Sequence, residues 1–361
     1  MPRLGGYERT VNIGTADNTE RYSMRTGKRR ISGLLPIVFA ALCLVWVFHS
    51  VDLSELARQT AVVDFRLAAA AVALDVLSYV VQGGRWALLL RPFGRLSVFS
   101  ATRAIYAGLF ANEVLPLKIG EGVRCFLAAS LLKTGPLSII PTIILERFFD
   151  GVWLVAGIGV TAAFVHLPPS LMKTEEMLGA LIVVSTGIFL LVVKKGLDSP
   201  TLPDPPNVRP RSNSAMFAPS LIKDSLRSIH AAAAHPAALA AFFLSLMLIL
   251  AQACSFWLVM RAYAIDLPFW AGTAVFFIVH LGTALPGTPA NVGSYQFFTV
   301  LGLALFGVDR TLAVGFSVFV FLLLTIPLWV LGFLAMSSSG ITLSAVRREV
   351  GRFRFRTTGP E

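Results

Sequence analysis

Charge is scarce in this chain. Of its 361 residues only 14% are Asp, Glu, Lys or Arg, against 55% hydrophobic, whereas soluble domains carry about 25% charged residues. The shortage excludes an ordinary soluble fold, and a mean hydropathy of +0.73 points to an integral membrane protein with several spans. Cysteine is also sparse: Cys43, Cys125 and Cys254 lie inside apolar runs without metal-like spacing. They read as small buried hydrophobes, not as a disulfide framework or metal site. Long polar stretches are missing as well. The largest, 1–30 and 195–236, cannot bury a core of domain size. No Walker A sequence, dinucleotide fingerprint or nucleophile elbow occurs, so no cofactor is expected, nor ATP-driven transport by this chain alone. No histidine pairs with an acid at metal-ligand spacing, so no metal is expected. His49, His166, His230 and His235 fall near predicted interfaces or loops, and His280, inside an apolar segment, reads as a packing residue.

What the chain has in excess is positive charge. Its net charge is +11, with Arg and Lys in the tails and loops that flank apolar runs, as the positive-inside rule produces. No basic face interleaved with aromatics occurs, so nucleic acid is not an expected partner. About thirty polar residues precede the first apolar run, which reads as a retained span and not as a signal peptide.

A bilayer-crossing helix needs about 20 mostly apolar residues. Runs at 32–49, 67–90, 137–165, 178–194, 237–262 and 311–336 predict six full transmembrane helices. Two further regions, 97–132 and 268–308, are interrupted near their middles by proline, glycine and polar residues. Basic residues in 1–30 place the N-terminus in the cytoplasm. The more acidic loop 50–66 falls outside, Arg85, Arg91 and Arg95 return the chain inside, loop 166–176 is outside, and the basic loop 195–236 is inside. The tail "RREVGRFRFR" ends inside. These sides agree only if each interrupted region enters and leaves on one side of the membrane.

The expected fold class is therefore an all-α integral membrane protein of about six full spans plus two re-entrant helical hairpins. The two halves have the same element order in opposite orientation, an inverted repeat of the kind that places a transport site near the midplane. The layout is a disordered cytoplasmic tail (1–30), a first repeat (31–168) with its hairpin at 97–132, a second repeat (169–340) with its hairpin at 268–308, and a basic cytoplasmic tail (341–361). Within the second repeat, the proline-rich linker 195–236 is cytoplasmic.

The tips "LPLKIGEGVR" and "LPGTPANVGSYQ" each begin Leu-Pro, reach a glycine and enter an apolar helix. Proline removes a backbone donor and bars the preceding turn from regular helix. Freed backbone groups at membrane depth need protein or water around them, so Pro116, Pro286 and Pro289 suggest tips lining a cavity. An interfacial connector between two short helices is the alternative. Gly120, Gly287 and Gly293 belong to the same turns and permit close backbone approach. A helix N-terminus after each tip favours phosphate or carboxylate, and Lys118 and Arg124 add formal charge there.

Glu121 and Arg124 share a helix face and can pair, either as a local surface bridge or as part of a site. "ILERFFDGVWLV" places Glu146, Arg147 and Asp150 inside a predicted span. A charge at mid-membrane costs at least about 2.5–3.5 kcal/mol, so these three require partners within the bundle, for translocation, gating or structure. In "GGRWALLLR" a tightly packed helix end with snorkelling Arg85 and Arg91 is the preferred reading over a phosphate site.

These residues resemble the lysylphosphatidylglycerol synthase transmembrane-region family, a flippase-like membrane domain of bacteria and archaea. The match covers roughly 32–340. Its first motif runs through Asn112, Pro116, Lys118, Gly120, Glu121, Arg124 and the Glu146–Arg147–Asp150 cluster. In the second, the family tends to have Gly-Gly and later Glu, where this chain has Ala290-Asn291 and Gln296. The resemblance implies movement between leaflets of a lipid with a charged or sugar-bearing head group, in a bacterial inner membrane whose cytoplasmic side holds both termini by the charge pattern above. In fused relatives a soluble domain makes the aminoacylated lipid, so a separate lipid-modifying enzyme is a possible partner.

The expected function is thus a lipid flippase or transporter and not an enzyme. Lys118, Arg124 and Arg147 would engage phosphate, while Glu121, Glu146 and Asp150 would hold those cations or meet an amine or hydroxyl. Asn112, Asn291 and Gln296 complete the candidate set. The runner-up is a membrane-embedded enzyme or subunit acting on lipid-linked envelope precursors, with Glu146 and Asp150 as acid–base groups. A scaffold for envelope assembly is a third reading.

Overall fold

The computed structural model describes residues 38, 40–49, 63–114, 120–164, 187, 233, 235–284 and 289–339. Among these the regular structure is entirely helical. Residues 40–48 are helical, followed by α1 (Phe65–Leu89), α2 (Val98–Val114), α3 (Gly120–Leu132), α4 (Pro136–Phe164), α5 (Ala237–Ala262), α6 (Phe269–Ala284), α7 (Ser294–Ala304) and α8 (Arg310–Ser338). Four predicted spans agree with α1, α4, α5 and α8 to within two residues. The interrupted regions are two helix pairs, α2–α3 and α6–α7. Pro116, Lys118, Pro286 and Gly287, both tails, the span at 178–194 apart from residue 187, and most of the linker lie outside the described residues.

Local chemistry sets the helix ends. The Asp64 carboxylate accepts from the backbone N–H groups of Arg66 (2.9 Å) and Leu67 (3.3 Å), capping α1. Asp309 does the same for α8 through Thr311 (2.8 Å) and Leu312 (3.2 Å). Each cap satisfies donors that a helix start leaves orphaned. Helices α1, α5 and α8 are long and apolar enough to cross a membrane by length and composition. Helix α4 has the length too, but carries Glu146, Arg147 and Asp150 at its middle. Leu77, Phe243, Met247, Ile326 and Phe333 point outward and are exposed, an apolar surface that suits lipid more than water.

Helices α1 and α5 form the central pair and run antiparallel. Asp64 N–H donates to the Ala262 carbonyl (2.9 Å) and the Ser255 hydroxyl to the Ala71 carbonyl (2.9 Å), while Arg85 reaches Ser245 (2.8 Å). The packing then repeats in both halves. Helix α1 packs on α2 and α5 on α6; α2 pairs with α3 and α6 with α7; α3 packs on α4 and α7 on α8. Across the halves, α2 meets α8 as α6 meets α4. The short turn Pro289–Asn291 also packs against α2, so the two interrupted regions touch.

Small residues permit that closeness. Ala101, Ala104, Ala107 and Ala111 form a buried stripe on α2. A Cβ on Gly108 would lie 2.7 Å from the Gly120 carbonyl oxygen, and one on Gly120 would overlap the Gly108 carbonyl. Gly122, one step further along α3, has open space instead. Gly120→Ala is expected to lower stability in detergent by about 1–3 kcal/mol through overpacking. Gly122→Ala should leave it unchanged or slightly raised. Equal unfolding temperatures for the two variants would contradict this packing.

Candidate functional site

Six charged side chains close a ring where α1, α3 and α4 meet. Arg85 of α1 pairs with Glu146 (2.5 Å) and Asp150 of α4. Glu146 pairs with Arg124 of α3 (2.6 Å), and Arg124 Nε lies 2.6 Å from Glu121 one turn earlier. Glu121 pairs with Arg147, and Arg147 Nη1 stands 3.6 Å from Asp150. Cations and anions alternate, three of each, so every ion has two opposite neighbours and the ring is formally neutral.

Helix periodicity explains the arrangement. Glu146 and Asp150 are four apart and share a face of α4, both reaching Arg85. Arg147 is turned about 100° from Glu146 and reaches Glu121. The same spacing lets Glu121 and Arg124 pair within α3.

The ring has a buried end and an open end. The side chains of Arg85 and Glu146 are fully buried and that of Arg124 is 4% exposed, against 26% for Asp150, 38% for Glu121 and 55% for Arg147. At the buried end Arg85 also donates to the Ser245 hydroxyl of α5, whose own O–H donates to the Ala241 carbonyl (3.1 Å). The Arg124 guanidinium lies over the Trp86 ring, 5.0 Å from its centroid, and the Trp86 indole N–H donates to Thr142 (3.1 Å). Such a cation–π contact, desolvated, contributes up to about 2 kcal/mol. At the open end His280 of α6 is exposed and within electrostatic range of Asp150 and Arg147. It packs on the Phe276 ring, 5.5 Å between centroids.

A cavity of about 610 Å³ lies at the same end of α1, lined by Gly84, Arg91, Arg95 and His235 among others. It is basic and adjoins the glycine pair next to Arg85. Gly83 itself is pressed against Thr102 of α2, where a Cβ would overlap the threonine side chain.

The structure therefore brings together Glu121, Arg124, Glu146, Arg147 and Asp150 as one network. It adds Arg85, which the sequence assigns to snorkelling. Arg85 does not snorkel: it is enclosed and ion-paired with partners 61 and 65 residues away on α4. A lone arginine near a helix end gives no sign of them. Asn112 stands apart from the ring, its Oδ1 accepting from Gly120 N–H (2.6 Å) at the start of α3. In the second interrupted region Gln296 is buried, and its Oε1 accepts from Gly293 N–H (2.8 Å). Ala290, Asn291 and Gly293 have φ of 53°, 55° and 85°, a left-handed turn that leads into α7. Gln296→Ala is expected to cost about 1 kcal/mol of stability, the usual worth of such a cap; a thermal-unfolding curve identical to wild type would contradict it. No cluster of metal-ligating side chains occurs among the described residues, and all three cysteines are free.

Comparison with known proteins places these features in context. The model of the lysylphosphatidylglycerol synthase TM region matches residues 33–332, most of the chain. A glycosyltransferase, AglD of Haloferax volcanii, is 27% identical over 133 residues, 37% of this chain and 21% of the relative's length. That match spans about a fifth of the relative.

Proposed function

We propose a lipid-translocating role from one premise: the chain belongs to the lysylphosphatidylglycerol synthase TM-region family, and it is a multi-pass membrane protein. It moves a lipid whose head group carries phosphate, an aminoacyl amine or a linked sugar between the leaflets of a bacterial inner membrane, with both termini cytoplasmic. The observation that carries this reading is the ion ring. Replacing buried ion pairs by hydrophobic residues of similar volume is often neutral or stabilising, so a six-membered ring among apolar helices is a poor stabilising device and a good exchangeable one. A phosphate arriving at the open end takes over the Arg147 guanidinium from Glu121, and the carboxylates so released meet an amine or hydroxyl. The basic cavity beside Arg91 and Arg95 supports an anionic component in the head group.

The antiparallel α1–α5 pair and the matching neighbours of the two halves support an inverted repeat with two re-entrant hairpins, the architecture in which one site serves both faces. Arg85, Arg124 and Arg147 are the head-group cations; Lys118, in the first tip, joins them by sequence.

A second reading rests on the resemblance to a relative named as a glycosyltransferase: a membrane subunit that presents a lipid-linked precursor to an enzyme. Leaflet exchange in proteoliposomes separates the two. The probes are labelled phosphatidylglycerol, an aminoacylated phosphatidylglycerol and a polyprenyl phosphate. Protein-dependent movement of one class supports translocation and identifies the head-group sign. Movement of none by folded protein contradicts it in favour of the subunit reading.

A further inference from the structure

A second polar site lies ten positions before Arg85 on α1, about 15 Å along its axis and near the middle of the helix. Asp75 is 7% exposed. It forms no ion pair with a described residue, and its backbone carbonyl accepts from Ser78 Oγ (2.6 Å). Three tyrosines lie in its neighbourhood, Tyr79 one helical turn further along the same face of α1. Tyr79 comes from α1, Tyr106 from α2 and Tyr295 from the first turn of α7, all within electrostatic range of Asp75. The Tyr79 and Tyr106 rings are 5.4 Å apart, and the buried Tyr106 hydroxyl has no hydrogen-bond partner among the described residues. Glu113 of α2 lies within range of Tyr79 and accepts from the Trp329 indole N–H (3.5 Å). Helices α5 and α8, which also pack on α1, carry charge only at Arg261 and Arg310, near their ends.

A carboxylate removed from water needs a counter-charge or a proton. Among the described residues no cation pairs with Asp75, while tyrosines of α1 and of both interrupted regions lie within electrostatic range of it. We propose that Asp75 is a proton-binding site coupled to lipid movement, with Tyr79, Tyr106 and Tyr295 as the hydroxyl shell through which the proton enters and leaves. The chemistry is simple: the carboxylate takes one proton from water in one access state and returns it in another. Tyr106 and Tyr295 belong to the two interrupted regions, so a change in their separation alters the shell around Asp75. The coupling rests on the translocation reading; proton binding does not.

The test has two readouts. Infrared difference spectra of the purified full chain, titrated from about pH 5 to about pH 9, should show a protonated-carboxyl band that Asp75→Asn removes. Tyr106→Phe, which keeps the ring, should move the band's midpoint and covers the case in which Asp75→Asn fails to fold. In proteoliposomes with labelled phosphatidylglycerol, wild-type exchange should change at least about fivefold over the same window, since one titrating group alters its population up to about tenfold per pH unit. The Asp75→Asn rate should stay within about twofold. A band retained in Asp75→Asn, or one displaced by sodium but not by choline, overturns the proposal. A wild type that moves no probe counts against the translocation reading and the coupling, and the infrared band still decides proton binding.

Discussion

Replacing Glu146 with Gln is expected to destabilise the protein by about 3–5 kcal/mol, the cost of breaking a buried ion pair by removing one partner. Glu146 is fully buried and holds two guanidiniums at once, Arg85 at 2.5 Å and Arg124 at 2.6 Å. Gln keeps one oxygen acceptor for one of them. Its amide NH₂ then faces the other, donor against donor, with no water at hand. Arg85 retains Asp150 and Ser245, but Arg124 is left with the half-exposed Glu121 and the Trp86 face. Glu121→Gln is the matched control. It removes the same charge from the same ring where solvent screens it, and should cost no more than about 1 kcal/mol. Thermal unfolding in detergent compares the two. A drop of at least about 5 °C for Glu146→Gln, with little change for Glu121→Gln, fits a ring with distinct buried and open ends. Equal shifts would mean that the ring is uniformly wet.

Arg147→Gln should do the opposite, leaving stability within about 1 kcal/mol of wild type while greatly reducing transport. Arg147 is the most exposed member of the ring at 55%, and its partners Glu121 and Asp150 are themselves partly open. Its loss therefore strands no fully buried charge. A head-group phosphate, however, would lose a charge-assisted contact of about 1.5–3 kcal/mol, which corresponds to about a 10- to 150-fold drop in the initial rate of leaflet exchange. Arg147→Lys keeps the charge but not the two-pronged geometry and should fall between the two. If Arg147→Gln exchanges lipid at the wild-type rate, the open end is not where the head group binds.

Much of this arrangement is legible in the sequence. Long apolar runs produce α1, α4, α5 and α8 at nearly the predicted bounds because hydropathy over about 20 residues leaves few alternatives. The charged cluster on α4 is legible from the cost of burying it. Five of the six ring members are legible, since Glu121 and Arg124 can pair at helical spacing and Glu146, Arg147 and Asp150 fall together inside one apolar span. Arg85 is not, because burial and a partner on another helix are properties of the packed bundle. Asp75 carries a signal of its own: a single acid within the apolar run "AAAAVALDVLSYV" is costly wherever the helix spans. Its tyrosine shell was not readable, since Tyr106 and Tyr295 are contributed by helices distant in sequence.

The most direct test of the account is protein-dependent exchange of a labelled lipid between the leaflets of proteoliposomes, with wild type, Arg147→Gln and protein-free vesicles side by side. The account predicts exchange of at least one head-group class by wild type and a loss of at least about tenfold in a variant that unfolds at the wild-type temperature. Wild-type vesicles no faster than protein-free ones, with the protein folded, would contradict it.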